Sequence, residues 1–168
     1  MTRFTNLATV GLRIALGAAF LSAVADRFGY WGVLGQKNVA WGDFGHFVTY
    51  TARLNWFVPG AWALALAWIA TVAESALGIA LILGIFTRVA SALSAALLLI
   101  FALEMSLASG VKAPLDASVF SASAGAFLLA CQTDYSVSLD RWIKTRRARQ
   151  TKDRRLHRHS LDVQPKRS

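Results

Sequence analysis

Residues 61–107 read AWALALAWIATVAESALGIALILGIFTRVASALSAALLLIFALEMSL, two apolar runs joined by a short break. The runs, about 61–83 and about 89–107, each come near the ~20 apolar residues that a helix needs to cross a bilayer core. Lipid offers backbone amides no partners, so runs of this kind must be helical. The joint, Gly84-Ile85-Phe86-Thr87-Arg88, is short enough to make the two helices antiparallel neighbours. Working outward, a further run covers about 7–25, and a shorter one, richer in Ser, covers about 117–133. The stretch Ser109 to Pro114 breaks the chain before this last run, and Asp116 is placed to cap its first turn. The expected fold is all-α: a polytopic membrane bundle of four helices, with one long outer loop, 26–60, between the first two.

Composition agrees. Hydrophobic residues make up 55% and charged residues 16%, against roughly 25% charged in an ordinary soluble domain. Residues 1–140 hold 7 basic and 7 acidic side chains, whereas residues 141–168 hold 11 basic and 2 acidic. The whole net charge of +9 therefore belongs to the tail. Two regions are expected: a transmembrane four-helix domain over 1–140, and a basic, partly disordered cytoplasmic tail over 141–168. Basic residues favour the cytoplasmic side. With the N-terminus inside, that side holds Arg3, Arg88 and the 11 tail residues, against Arg27, Lys37, Arg53 and Lys112 outside. Both termini are thus expected in the cytoplasm, in a multi-pass protein of the inner (plasma) membrane. The tail should be a topology anchor lying near anionic lipid, and no nucleic-acid partner is expected. Trp31, Trp41, Trp56, Tyr30 and Tyr50, in the long loop, are residues that favour the headgroup level. Arg3, an apolar run and Ala23-Val24-Ala25 imitate a cleaved secretory signal, but Arg13 interrupts the run where a signal core is uncharged.

Three ionisable residues fall within the apolar runs: Arg13, Glu74 and Glu104. Such a group costs about 2.5–3.5 kcal/mol at membrane depth and usually faces a partner or water. Counting about 1.5 Å per residue from the helix ends puts Arg13 and Glu74 at depths differing by only about 4 Å. An intramembrane ion pair is expected, serving either as a brace between two helices or as a proton or ligand relay. Glu104 lies near the opposite end of its helix. Polar residues at a similar level are Lys112, Asp116, Ser118, Ser121, Asp26, Arg27, His46 and Arg53. The candidate outer polar pocket comprises Glu104, Asp116, Ser118, His46, Arg53 and Arg27; the alternative is that Glu104 snorkels to interfacial water. Two stripes of small residues, Ala76-Ala80-Gly84 and Ser118-Ser121-Gly125, are read as packing surfaces.

Several chemistries have no signature in the chain. There is no phosphate loop, dinucleotide turn, zinc-protease pair or nucleophile elbow. The single Cys131 forms no redox pair and is read as a small core residue. Of the three histidines, His157 and His159 lie in the tail, so neither haem nor metal ligation is indicated. No catalytic residue is assigned.

Three blocks carry a family resemblance. They are Gly11-Leu12-Arg13-Ile14-Ala15-Leu16-Gly17 with Phe20, the stretch from Glu74 to Arg88 ending Gly-x-x-Thr-Arg, and Leu115-Asp116-Ala117-Ser118-Val119-Phe120. Over roughly residues 7–135 the chain resembles the DoxX family of small bacterial membrane proteins. The resemblance implies a four-helix fold and a place beside oxidoreductases, as in the small subunit of a thiosulfate:quinone oxidoreductase or a membrane complex for thiol and oxidative stress. Two roles follow. One is a non-catalytic membrane subunit or scaffold for partner redox proteins, or for a second copy of itself. The other is a quinone-linked oxidoreductase subunit acting on thiosulfate or a related small sulfur compound, with quinone reached through a partner.

Overall fold

The computed structural model describes residues 3–132 and Tyr135. The expected basic tail, 141–168, lies outside them, as does the last residue of the expected fourth helix, Thr133. Every element among the described residues is helical: α1 Arg3–Arg27, α2 Phe44–Leu54, a single 3-10 turn Gly60–Trp62, α3 Ala63–Leu83, α4 Thr87–Ser109, α5 Lys112–Asp116 and α6 Val119–Ala130. The helices α1, α3 (with the 3-10 turn before it) and α4 are long and apolar enough to cross a membrane. Their bounds follow the apolar runs to within a turn, because a helix in lipid ends where its apolar run ends.

The bundle is made of two tightly packed antiparallel pairs, α1 with α3 and α4 with α6. In the first pair the backbones nearly touch. A Cβ on Gly17 would stand 2.8 Å from the Gly78 carbonyl oxygen, so only glycine fits this crossing. It fixes the register of α1 on α3. In the second pair Ala90, Ser91, Ser94 and Ala95 of α4 are buried with Ser123, Ala126 and Ala130 of α6. Small side chains let the helices approach, and the Ser123 hydroxyl donates across to the Ala95 carbonyl at 2.8 Å. Leu16, Phe20, Leu81 and Leu129 fill the centre.

The turn between α3 and α4 is as short as the sequence indicates. Gly84 takes φ 69°, a left-handed cap that glycine adopts without strain, and the Gly84 and Ile85 amides both donate to the Ala80 carbonyl.

Four expectations need correction. The fourth helix is shorter than expected: a short helix, α5, precedes it and ends at Asp116, Ser118 turns with φ 56°, and α6 spans only 12 residues. At about 1.5 Å per residue α6 is roughly 18 Å long, well short of a bilayer core. Asp116 does not cap α6. It sits one turn from Lys112 within α5 and pairs with it in solvent. Cys131 is exposed rather than a core residue. The small-residue stripes are also displaced, since Ala76, Ser118 and Ser121 are exposed. The close crossing is made by Gly78 and the interhelical hydrogen bond by Ser123, residues in the same runs on different faces.

The long loop is largely structured. Asp43 caps α2, its Oδ1 accepting from the His46 amide at 2.9 Å. Phe47, Thr51 and Leu54 form the buried face of α2, which roofs the bundle against α3 and α4. The aromatics divide accordingly. Trp41 and Tyr50 turn inward, whereas Tyr30, Trp31 and Trp56 are exposed.

Candidate functional site

The inner face of α3 runs Ala63, Ala67, Thr71, Glu74, Gly78, Leu81, one stripe at helical spacing. Two of these residues are polar, and both meet Arg27. The Arg27 Nη2 lies 2.5 Å from Glu74 Oε2, and its Nη1 donates to Thr71 Oγ1 at 2.9 Å. Both charged side chains are nearly inaccessible, at 2% and 4% exposure. The guanidinium also lies over the Phe47 ring at 3.7 Å and near the Trp41 ring at 5.2 Å, positions in which an aromatic face attracts a cation. Next door, Asp26 Oδ2 accepts from the Ala40 and Trp41 amides at 2.9 and 3.0 Å, which pins the loop and carries Trp41 over Arg27.

Glu74 is therefore paired with Arg27, not with Arg13. The crossing at Gly17 and Gly78 sets Glu74 level with about residue 21 of α1. Arg13 is then about 12 Å away along the axis, and Arg27 about 9 Å. Direction decides the rest. Side chains on a helix lean towards its N-terminus. On antiparallel helices, Arg27 and Glu74 lean towards one another, while Arg13 leans away. Arg13 instead holds the end of α3, its Nε donating to the Leu81 carbonyl at 2.7 Å and its Nη2 to the Ile82 carbonyl at 3.3 Å. Counting depth from helix ends missed this because α1 runs to Arg27, two residues beyond the expected end. Thr71, three residues before Glu74 on the same face, was the available signal for a polar site. Phe47 and Trp41 had none.

The ion pair forms one wall of a cavity of about 670 Å³ beneath α2. Its roof is Trp41, Phe47, Tyr50, Leu54 and Asn55, and its floor includes Leu16 and Phe20. Glu104 lines it from α4, half-buried, with the Asn55 side chain as its polar neighbour. Leu66, Ile69 and Ala70 of α3 and Leu97, Ile100 and Phe101 of α4 also line it. Ile69 and Ile100 are 65% and 50% exposed, so the lining includes residues that also belong to the apolar outer surface of α3 and α4. The volume is in the range of small-molecule sites, and an apolar lining with a few convergent polar groups is their usual makeup.

Of the six residues expected in an outer pocket, Arg27 and Glu104 line this cavity. The other four do not. His46 is exposed, its Nδ1 2.7 Å from Asp43 Oδ2. Arg53 is exposed, donating to Ser109 Oγ at 3.3 Å. Asp116 is paired to Lys112, and Ser118 is exposed in its turn. No group of three or more candidate metal ligands occurs among the described residues.

The family model described as DoxX matches residues 8–107, from early in α1 almost to the end of α4. No curated protein and no solved structure matches the chain.

Proposed function

The chain belongs to the DoxX family, and on that premise we propose that it is a membrane subunit of a redox complex whose cavity receives a quinone from the bilayer. Its partner would oxidise thiosulfate or a related small sulfur compound. The observation that carries this reading is the cavity itself, whose lining brings a buried ion pair together with residues of the apolar outer surface of α3 and α4. A helical scaffold needs only a filled core. A quinone needs an apolar entrance for its tail, flat aromatic walls for its ring and polar groups for its two carbonyls, and the cavity has each. Purification in gentle detergent followed by organic extraction tests the proposal. Quinone should be recovered in amounts comparable to the protein. Recovery of phospholipid alone would leave the scaffold role.

The membrane arrangement belongs to the same proposal. We place α6 as a fourth span, thinning the bilayer around it or sharing its depth with α5. Both termini face the cytoplasm of a bacterial inner membrane, and α2 faces the outer side. The basic tail rests on anionic lipid, leaving partner redox proteins or a second copy to dock elsewhere. Reporters fused at the two chain ends should both register cytoplasm, and one inserted beside Lys37 should register the outside. Termini on opposite sides would mean three spans.

A further inference from the structure

Two carboxylates face the cavity, and they differ in their access to water. Glu74 is 3% exposed and held by Arg27. Glu104, five residues before the end of α4 at Ser109, is half-buried under the edge of α2. Asn55 is beside it, and Tyr50 lies within reach of its charge. The guanidinium of exposed Arg53 lies 5.9 Å from the Tyr50 ring. Arg53 thus neighbours Tyr50, and Tyr50, Asn55 and Glu104 all line the cavity. The remaining charged groups of the lining are Arg27 and Glu74, already joined to each other; the α6 side contributes Ala117, Val119 and Ala122. Burial outweighs the pull of Arg53 and lifts the Tyr50 phenol above its usual range, so Tyr50 stays a neutral donor and acceptor at physiological pH.

We propose that Glu104 is the proton-exchange residue of the cavity, passing protons between water on the α2 side and a bound quinone, with the Tyr50 hydroxyl as the relay and the Asn55 amide orienting the Glu104 carboxyl group. This rests on the quinone reading. Reducing a quinone to a quinol adds two electrons, here from the sulfur compound oxidised by the partner, and two protons, which form an O–H bond at each ring oxygen. Lipid supplies no protons, and Glu74, 3% exposed and paired with Arg27, is the less accessible of the two carboxylates. Glu104 is half-buried and lines the cavity.

The test uses the full-length protein in nanodiscs, freed of lipid quinone and loaded with a short-chain benzoquinone. Quenching of tryptophan fluorescence reports binding. Mixing with dithionite, the electron donor in place of the partner, then starts reduction, followed by quinol absorbance and by a pH dye. Glu104→Gln should bind with unchanged affinity but form quinol about a hundredfold more slowly, with its pH dependence flattened. Glu104→Asp should recover most of the rate. Equal rates and equal pH profiles for Glu104→Gln and the wild type would overturn the role of Glu104 and leave the quinone site standing. Loss of binding in Glu104→Gln would make it a head-group contact, and would also overturn the relay. Absence of quenching in the wild type would remove the quinone reading and this inference with it.

Discussion

Arg27→Met alone should destabilise the detergent-solubilised protein by about 3–5 kcal/mol, and Glu74→Leu alone by a similar amount. The double variant should recover most of either loss. Each single change leaves one charge buried without its partner. Glu74 would keep no cation in reach, and Arg27 would lose its ion-pair partner, keeping the Thr71 hydroxyl, the Phe47 and Trp41 rings and the more distant charge of Asp26. Removing both charges together leaves apolar side chains of similar volume, which buried sites often tolerate well. Thermal melting of the two single variants and the double variant measures the coupling. Arg13→Met combined with Glu74→Leu is the control. Those two residues are some 12 Å apart along the bundle, and Arg13 braces the Leu81 and Ile82 carbonyls, so their losses should add. Additive losses for Arg27 and Glu74 would mean that they do not pair. Coupling between Arg13 and Glu74 would restore the arrangement expected from counting depth.

That reversal shows which part of the molecule was legible in the sequence. The three long helices could be read because lipid imposes a length and an apolar content on any span. The turn at Gly84 could be read because five residues between two such helices leave no other path. The partner of Glu74 could not. Depth counted from helix ends depends on where α1 stops and on how far α1 slides along α3. The slide is set by Gly17 meeting Gly78, a contact between two glycines among several in these runs. Uniform apolarity hides which face turns inward, and so Ala76 was expected at an interface that Gly78 makes. The late start of the fourth helix, after Ser118, was hidden for another reason. Ser118 adopts a left-handed backbone, a conformation that its residue type does not announce.

The candidate site was half legible. Glu104 and Arg27 were expected on one polar pocket, and they line one cavity. Their expected companions His46, Arg53, Asp116 and Ser118 occupy the same end of the bundle but face solvent. The roof explains the difference. α2 places Phe47, Thr51 and Leu54 inward and leaves His46 and Arg53 on its outer face. An amphipathic helix inside a long loop was not anticipated, and without it every polar loop residue seemed equally free to approach Glu104.

Whether the cavity walled by Arg27 and Glu74 takes up a quinone is open to measurement. Photolabelling with an azido-quinone in native membranes, followed by mapping of the labelled residues, tests it most directly. A companion variant sharpens the result. Ala70 lines the cavity one turn before Glu74, and the phenyl ring of Ala70→Phe would extend into the space that the quinone ring is to occupy. Label is expected on Tyr50 in the roof and on Phe101, Glu104 and Met105 of α4. It should nearly vanish in Ala70→Phe, provided that this variant melts like the wild type. Label confined to outward-facing residues such as Leu64 and Leu103, and unchanged by Ala70→Phe, would contradict the account.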